Sequence, residues 1–117
     1  MTGASEINVT LHDGREIKQV SVVGKDPRTD IAVIKVPAER LIAAKWGDSD
    51  SLKKGDWVLA FGSPFGYIGS MTPGIVRAPN PNSGWILGPV GYESFIQVES
   101  PINPGNSGGP LVNIHGE

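Results

Sequence analysis

Apolar residues along this chain recur at every second position far more often than at helical spacing, and no stretch of eleven or more residues carries an amphipathic helical stripe. A chain so patterned is built from strands. Ile7, Val9 and Leu11 alternate with Asn8, Thr10 and His12, the mark of a half-buried strand. Asp13-Gly14 follows as a turn, and Ile17, Val20 and Val22 continue into a second strand, so this region is expected to form a β-hairpin. Asp26-Pro27-Arg28-Thr29 is the next turn, and it leads into Ile31-Ala32-Val33-Ile34-Lys35-Val36, a nearly continuous β-branched run that suits a buried strand. Residues 38–44 have room for one or two helical turns, and 47–55 are polar turn material. Further strands are expected over 57–61, 74–77, 94–98 and 110–114. Short strands at roughly 8–12-residue spacing, separated by turn residues, argue for an all-β sandwich or barrel.

Glycine and proline number 16 and 10 among 117 residues, a share high enough to raise disorder, yet most of them stand at those turns. Residues 79–91 do not fit the pattern. Three prolines and three glycines there surround Trp85, Ile86 and Leu87, and the segment reads as a long surface loop.

Charge narrows the function classes. Ten Lys and Arg against twelve Asp and Glu leave a net charge of −2, with no like-charge run longer than Lys53-Lys54. Neither a nucleic-acid footprint nor a membrane-surface footprint is present. The absence of cysteine excludes a disulfide framework, a zinc ribbon and thiol chemistry. With only two histidines no transition-metal site is expected, and Asp48 and Asp50 fail as a calcium loop because Lys53 stands where that loop needs glycine. No cofactor is expected. No stretch is long and apolar enough to span a membrane, and Met1-Thr2-Gly3-Ala4-Ser5-Glu6 lacks the basic and apolar regions of a signal peptide. Trp57, Phe61 and Phe65 are expected in the core rather than on a ligand platform.

The stretch that carries chemistry is Ile102-Asn103-Pro104-Gly105-Asn106-Ser107-Gly108-Gly109-Pro110-Leu111-Val112. A serine ringed by glycines lets the backbone approach a substrate closely and lets successive N–H groups converge on one concavity, where an oxyanion can bind. Gly105 and Ser107 are the natural pair of N–H donors. By contrast, Gly47-Asp48-Ser49 has the residues of an esterase motif without its preceding strand or its later Asp and His context.

This loop resembles that of the trypsin-like serine proteases of the HtrA/DegP type, and the likeness extends along the chain. Asn8-Val9-Thr10-Leu11, Val23-Gly24-Lys25-Asp26-Pro27-Arg28-Thr29-Asp30-Ile31-Ala32-Val33, Gly47-Asp48-Ser49-Asp50, Gly55-Asp56-Trp57-Val58-Leu59-Ala60 and Pro64-Phe65-Gly66 are similar to family segments in family order. The resemblance implies an all-β, chymotrypsin-like double β-barrel with Greek-key antiparallel strands, here incomplete. About 1–46 would be the end of the first barrel and about 47–117 the start of the second, with no PDZ domain.

It further implies that Ser107 is the acylated nucleophile, that Gly105 and Ser107 form the oxyanion hole, and that Asp30 is the triad aspartate, accepting a hydrogen bond from the catalytic histidine. On the residues alone Asp30 would be a turn residue at a strand start. Asn106 stands where the digestive enzymes carry an aspartate that pairs with a new amino terminus. A neutral amide cannot make that ion pair, and the resemblance implies a loop order–disorder switch instead.

The histidine base is missing. His12 lies beside the first turn and His115 in the turn after the Ser107 strand, and alignment on Asn8-Val9-Thr10-Leu11 puts the family's histidine just before Met1. The sequence is therefore expected to be a fragment of an ATP-independent serine endopeptidase of protein quality control, degrading unfolded or misfolded polypeptides in the periplasm or another extracytoplasmic space, and inactive as this chain. The alternative is a non-catalytic, degenerate protease module acting in binding or self-assembly. On either reading the open strand edges are expected to drive self-association.

Overall fold

A computed structural model describes residues 6–63, 69–78 and 95–117. The strands are β1 (Val9–Thr10), β2 (Glu16–Ile17), β3 (Ser21–Asp26), β4 (Ile31–Lys35), β5 (Trp57–Gly62), β6 (Ser70–Ala78), β7 (Gln97–Glu99) and β8 (Leu111–Asn113). The only helical element among the described residues is a 3₁₀ turn at Ser49–Ser51. Among the described residues all pairings are antiparallel, and no sheet closes into a barrel. The chain divides into two compact units, Met1–Ala43 and Ala44–Glu117.

In the first unit β1 pairs with β2 through Val9↔Ile17 and Thr10↔Glu16. The turn between them is closed by Leu11 N–H on the Arg15 carbonyl at 2.9 Å and Gly14 N–H on the Leu11 carbonyl at 2.9 Å. The Asp13 carboxylate accepts from Arg15 N–H at 3.1 Å and from Arg15 Nε at 2.7 Å. That backbone N–H, followed by the guanidinium, holds the Asp13 carboxyl below the ordinary carboxylate range.

The expected second strand through Ile17, Val20 and Val22 is broken. Residues 18–20 are irregular, and the chain changes partner there, so that β2 serves β1 while β3 serves β4. The β3–β4 ribbon runs from Ser21↔Lys35 to Asp26↔Ile31 with a register shift between Val22 and Gly24. Its apolar side chains are not buried as the β-branched run suggested. Ile31 is 62% exposed and Val33 55%, while Ala32 and Ile34 on the opposite face are half-buried, because a two-stranded ribbon is covered on one side only.

Residues 38–44 do not form the expected helical turn. Arg15 Nη1 donates to the Glu39 carbonyl at 2.8 Å, and Arg40 takes a positive φ of 56°. Both oppose a helix that is too short to repay its own nucleation.

In the second unit the strand order is β7-β6-β5-β8. Three consecutive antiparallel strands lie side by side and the fourth returns to lie beside the first of them, which is the Greek-key order. Val58 and Ala60 project from one face of β5 and are 2% and 8% exposed, joined in the core by Val76 at 1%. Side chains alternate across a strand, so Trp57 falls on the other face and is 58% exposed, against the expectation that it is core. Phe61, on the same face as Trp57, is half-buried, and Phe65 lies outside the described residues.

β6 is longer than the sequence suggested, beginning at Ser70 and including Pro73. Proline fits because β7 pairs with β6 only from Ile75 onward. The Pro73 carbonyl points away from β5 to accept from Ser100 Oγ at 3.2 Å, so no ladder bond is lost at the missing N–H. The expected loop at 79–91 lies outside the described residues.

Candidate active site

The connection between β7 and β8 carries Ser107, and its shape follows from two successive turns. Asn106 N–H donates to the Asn103 carbonyl at 3.2 Å, with Pro104 second and Gly105 third at φ 109°. Gly109 N–H donates to the Asn106 carbonyl at 2.9 Å, with Ser107 second and Gly108 third at φ 82°. A positive φ at the third position is the type II arrangement, which only glycine adopts without strain. Asn106 is thus the last residue of one turn and the first of the next. Ser107 stands at the corner of the second, exposed.

The end of β5 anchors this loop. Phe61 N–H donates to the Pro110 carbonyl at 3.0 Å and Ser63 N–H to the Gly105 carbonyl at 3.2 Å. These bonds continue the β5–β8 ladder of Val58↔Asn113, Leu59↔Val112 and Ala60↔Leu111 into the turn region. The N–H groups of Gly105 and Ser107 donate to no other described residue. Two backbone donors of exposed residues, unpaired among the described residues and two positions apart, one of them belonging to a serine, can hold a developing oxyanion.

Beside the loop lies a cavity of about 600 Å³. It is lined by Gly108, Gly109 and Leu111, by Val58 of β5, and by Trp46 and Leu52 from the segment before β5. Below β8 the Asn113 carboxamide oxygen accepts from His115 N–H and Glu117 N–H, both at 2.9 Å, which fixes the tight turn that contains His115. Lys45 Nζ meets Glu117 Oε1 at 2.7 Å. The hydrogen bond from Lys45, then its charge, and then Asn113 hold the Glu117 carboxyl below its ordinary range, and Lys45 is raised in return.

Asp48, from the segment with esterase-like residues, spends its carboxylate on Asp50 N–H at 3.0 Å, capping the 3₁₀ turn. No group of three or more acidic, His or Cys side chains arranged to hold a metal occurs among the described residues.

Asp30 belongs to the other unit. It closes the four-residue β3–β4 loop in the left-handed region with φ 56°, a conformation that Asp tolerates better than most residues. The same loop is set by Arg28 N–H on Asp26 Oδ1 at 3.0 Å. Asp30 is exposed, as is His12, which sits in the β1–β2 turn. Ser107 and Asp30 are each placed by a turn within their own unit.

Sequence reasoning missed the part played by the end of β5. Its one signal was Gly62, since a glycine inside a strand pattern marks a close backbone approach.

A sequence profile of the trypsin-like peptidase domain matches residues 1–117. A probable periplasmic serine endoprotease, DegP-like, from Chlamydia trachomatis serovar D is 49% identical over 114 residues, which are 97% of this chain and 22% of that protein. A probable periplasmic serine endoprotease, DegP-like, from Pseudomonas putida strain W619 is 53% identical over 114 residues, again 97% of this chain and 23% of that protein. Among solved structures, the HtrA-type protease AlgW with a decapeptide is similar at a TM-score of 0.88 and 46% identity, over 99% of this chain and 34% of that one. The chain spans less than a quarter of the length of these curated relatives. Matched from its first residue to its last, this chain belongs to the trypsin-like peptidase domain family.

Proposed function

We propose that these 117 residues are part of an ATP-independent, HtrA/DegP-type serine endopeptidase acting on unfolded or misfolded polypeptides outside the cytoplasm, with Ser107 as nucleophile. The observation that carries this is the pair of N–H groups at Gly105 and Ser107, unpaired among the described residues and held by two glycine-dependent turns at the end of β5. Ser107 Oγ attacks the scissile carbonyl carbon as its proton passes to a histidine. The carbonyl π pair moves to oxygen, and that oxyanion is received by the two N–H groups. Collapse of the intermediate expels the amine, which takes the proton back from the histidine, and leaves an acyl ester on Ser107 for water to cleave. Asp30 accepts the hydrogen bond from the other ring nitrogen and stabilises the imidazolium. The two units correspond to the end of the first barrel and the start of the second.

Neither His12 nor His115 serves as the base in this reading: His12 lies in the β1–β2 turn of the other unit, and His115 lies in the turn after β8, at the opposite end of that strand from the Ser107 loop. The base comes from sequence outside these residues. The periplasmic naming of the relatives supports an extracytoplasmic setting, and no helix among the described residues is long and apolar enough to cross a membrane.

A fluorophosphonate probe tests the reading. We expect no labelling of the 117 residues alone and stoichiometric labelling at Ser107 once the histidine-bearing segment is joined to them. Failure to label the extended polypeptide would favour a non-catalytic module.

One observation supports self-association of this chain. Among the described residues β7 and β8 are the open edges of the four-stranded sheet, and Trp57, Met71 and Ile75 share one exposed apolar face of it. Light scattering at micromolar concentration is expected to give a mass above that of one chain; a monomer would refute this.

A further inference from the structure

Gly62 is the last residue of β5 and is paired with Ser70 of β6. Its neighbours Phe61 and Ser63 both donate to the Ser107 loop, and between those two bonds the Asn106 side chain lies directly against Gly62. A methyl group built on Gly62 would overlap Asn106 Oδ1 and would stand 2.8 Å from Asn106 Cγ and 2.9 Å from Asn106 Cα. Cβ atoms in folded proteins do not approach other heavy atoms so closely, so any side chain here must push Asn106 away.

Asn106 cannot move alone, because its N–H belongs to the first turn and its carbonyl to the second. Its Oδ1 is buried and accepts no hydrogen bond among the described residues. A buried acceptor without a donor is unfavourable, so the amide is kept in place by packing and by the flanking backbone bonds rather than by bonds of its own. What admits it is the missing side chain of Gly62.

We propose that Gly62 is a positioning residue for the nucleophile loop: its bare Cα seats Asn106 against β5 and thereby sets where the Gly105 and Ser107 N–H groups point. The proposal rests on the reading of Ser107 as nucleophile. Gly62 touches neither substrate nor reacting atoms and acts only through Asn106.

The test uses the 117-residue chain labelled with nitrogen-15. Gly62→Ala is expected to shift the Gly105 and Ser107 amide cross-peaks while the core signals of Val58 and Val76 stay in place. Exchange of the Gly109 amide should rise about tenfold as its bond to Asn106 weakens. The double variant Gly62→Ala with Asn106→Ala removes the Oδ1 and Cγ overlaps and leaves only the 2.9 Å approach to Asn106 Cα, so it should return the Gly105 and Ser107 peaks part of the way.

Unmoved Gly105 and Ser107 amides in Gly62→Ala, or a double variant no closer to the parent than the single one, would overturn the proposal. If Gly62→Ala alone unfolds the chain, recovery of the fold in the double variant supports the contact, and no recovery overturns it. In the polypeptide that includes the histidine, Gly62→Ala should lower kcat about tenfold or more with KM little changed, since an oxyanion donor acts in the transition state. A matched rise in KM without loss of kcat would remove the positioning role. Loss of the nucleophile reading itself would show differently: in the polypeptide that includes the histidine neither the parent nor any variant would label with fluorophosphonate, whatever the amide peaks of the 117 residues did.

Discussion

Ser107→Ala, made in a polypeptide that carries the histidine as well as this chain, is expected to reduce kcat on denatured casein by about 10⁶-fold and to abolish fluorophosphonate labelling. The size of the effect follows from the chemistry. A serine hydroxyl at its free pKa is a weak nucleophile, and it becomes a strong one only when a base removes its proton while N–H donors receive the charge that moves onto the carbonyl oxygen. Alanine keeps the backbone donors of Gly105 and Ser107 and removes the atom that forms the acyl bond. Asp30→Asn is expected to cost less, about 10⁴-fold, because the amide favours the wrong tautomer of the imidazole and leaves the nucleophile in place. Equal losses at the two positions would be consistent with a single unit, whereas a Ser107→Ala variant within tenfold of the parent would exclude covalent catalysis at this residue.

Gly109→Ala is expected to be the most damaging single-methyl addition to the fold. The new Cβ would overlap the carbonyl oxygen of Phe61 and lie 3.0 Å from that of Asn106, both of them backbone atoms that cannot swing aside. Relief requires β5 and the loop to separate, which breaks the Phe61 to Pro110 bond and the Gly109 to Asn106 bond together. A loss of about 4 kcal/mol or more is expected, against a total of about 5–15 kcal/mol for a typical domain. Urea unfolding followed by tryptophan fluorescence and by circular dichroism would measure it. A midpoint unchanged from the parent would mean that β5 and the Ser107 loop are not held as described.

Much of this protein could be read before any coordinates. Alternation at period two located β1, a nearly continuous β-branched run located β4, and apolar runs bounded by turn residues located β5 and β8, each within a few residues. The serine loop was legible for a different reason. Positive φ at the third position of two successive turns admits glycine almost alone, so Gly105 and Gly108 mark the backbone path in the letters themselves. Misreadings arose where the local signal was sound and a distant partner overruled it. The run of apolar residues up to Val22 continues past Ile17, yet the chain exchanges partner over 18–20 because β1 and β4 each claim one side. Residues 38–44 have acceptable helical letters, and Arg15 takes the Glu39 carbonyl instead. Trp57 is apolar and adjacent to a buried valine, and the pleat turns it outward.

The sequence by itself determined the class of fold, the family and the turns of the Ser107 loop, because those depend on periodicity and on backbone conformations that few residue types can adopt. Only the tertiary structure decided that β8 returns to lie beside β5, that the loop is fastened to Phe61 and Ser63, and that Asn106 occupies the space left by Gly62. Those contacts join residues more than forty positions apart. A glycine that is needed for the space beside it, rather than for its own φ, reads like any other until the neighbour that fills that space is seen.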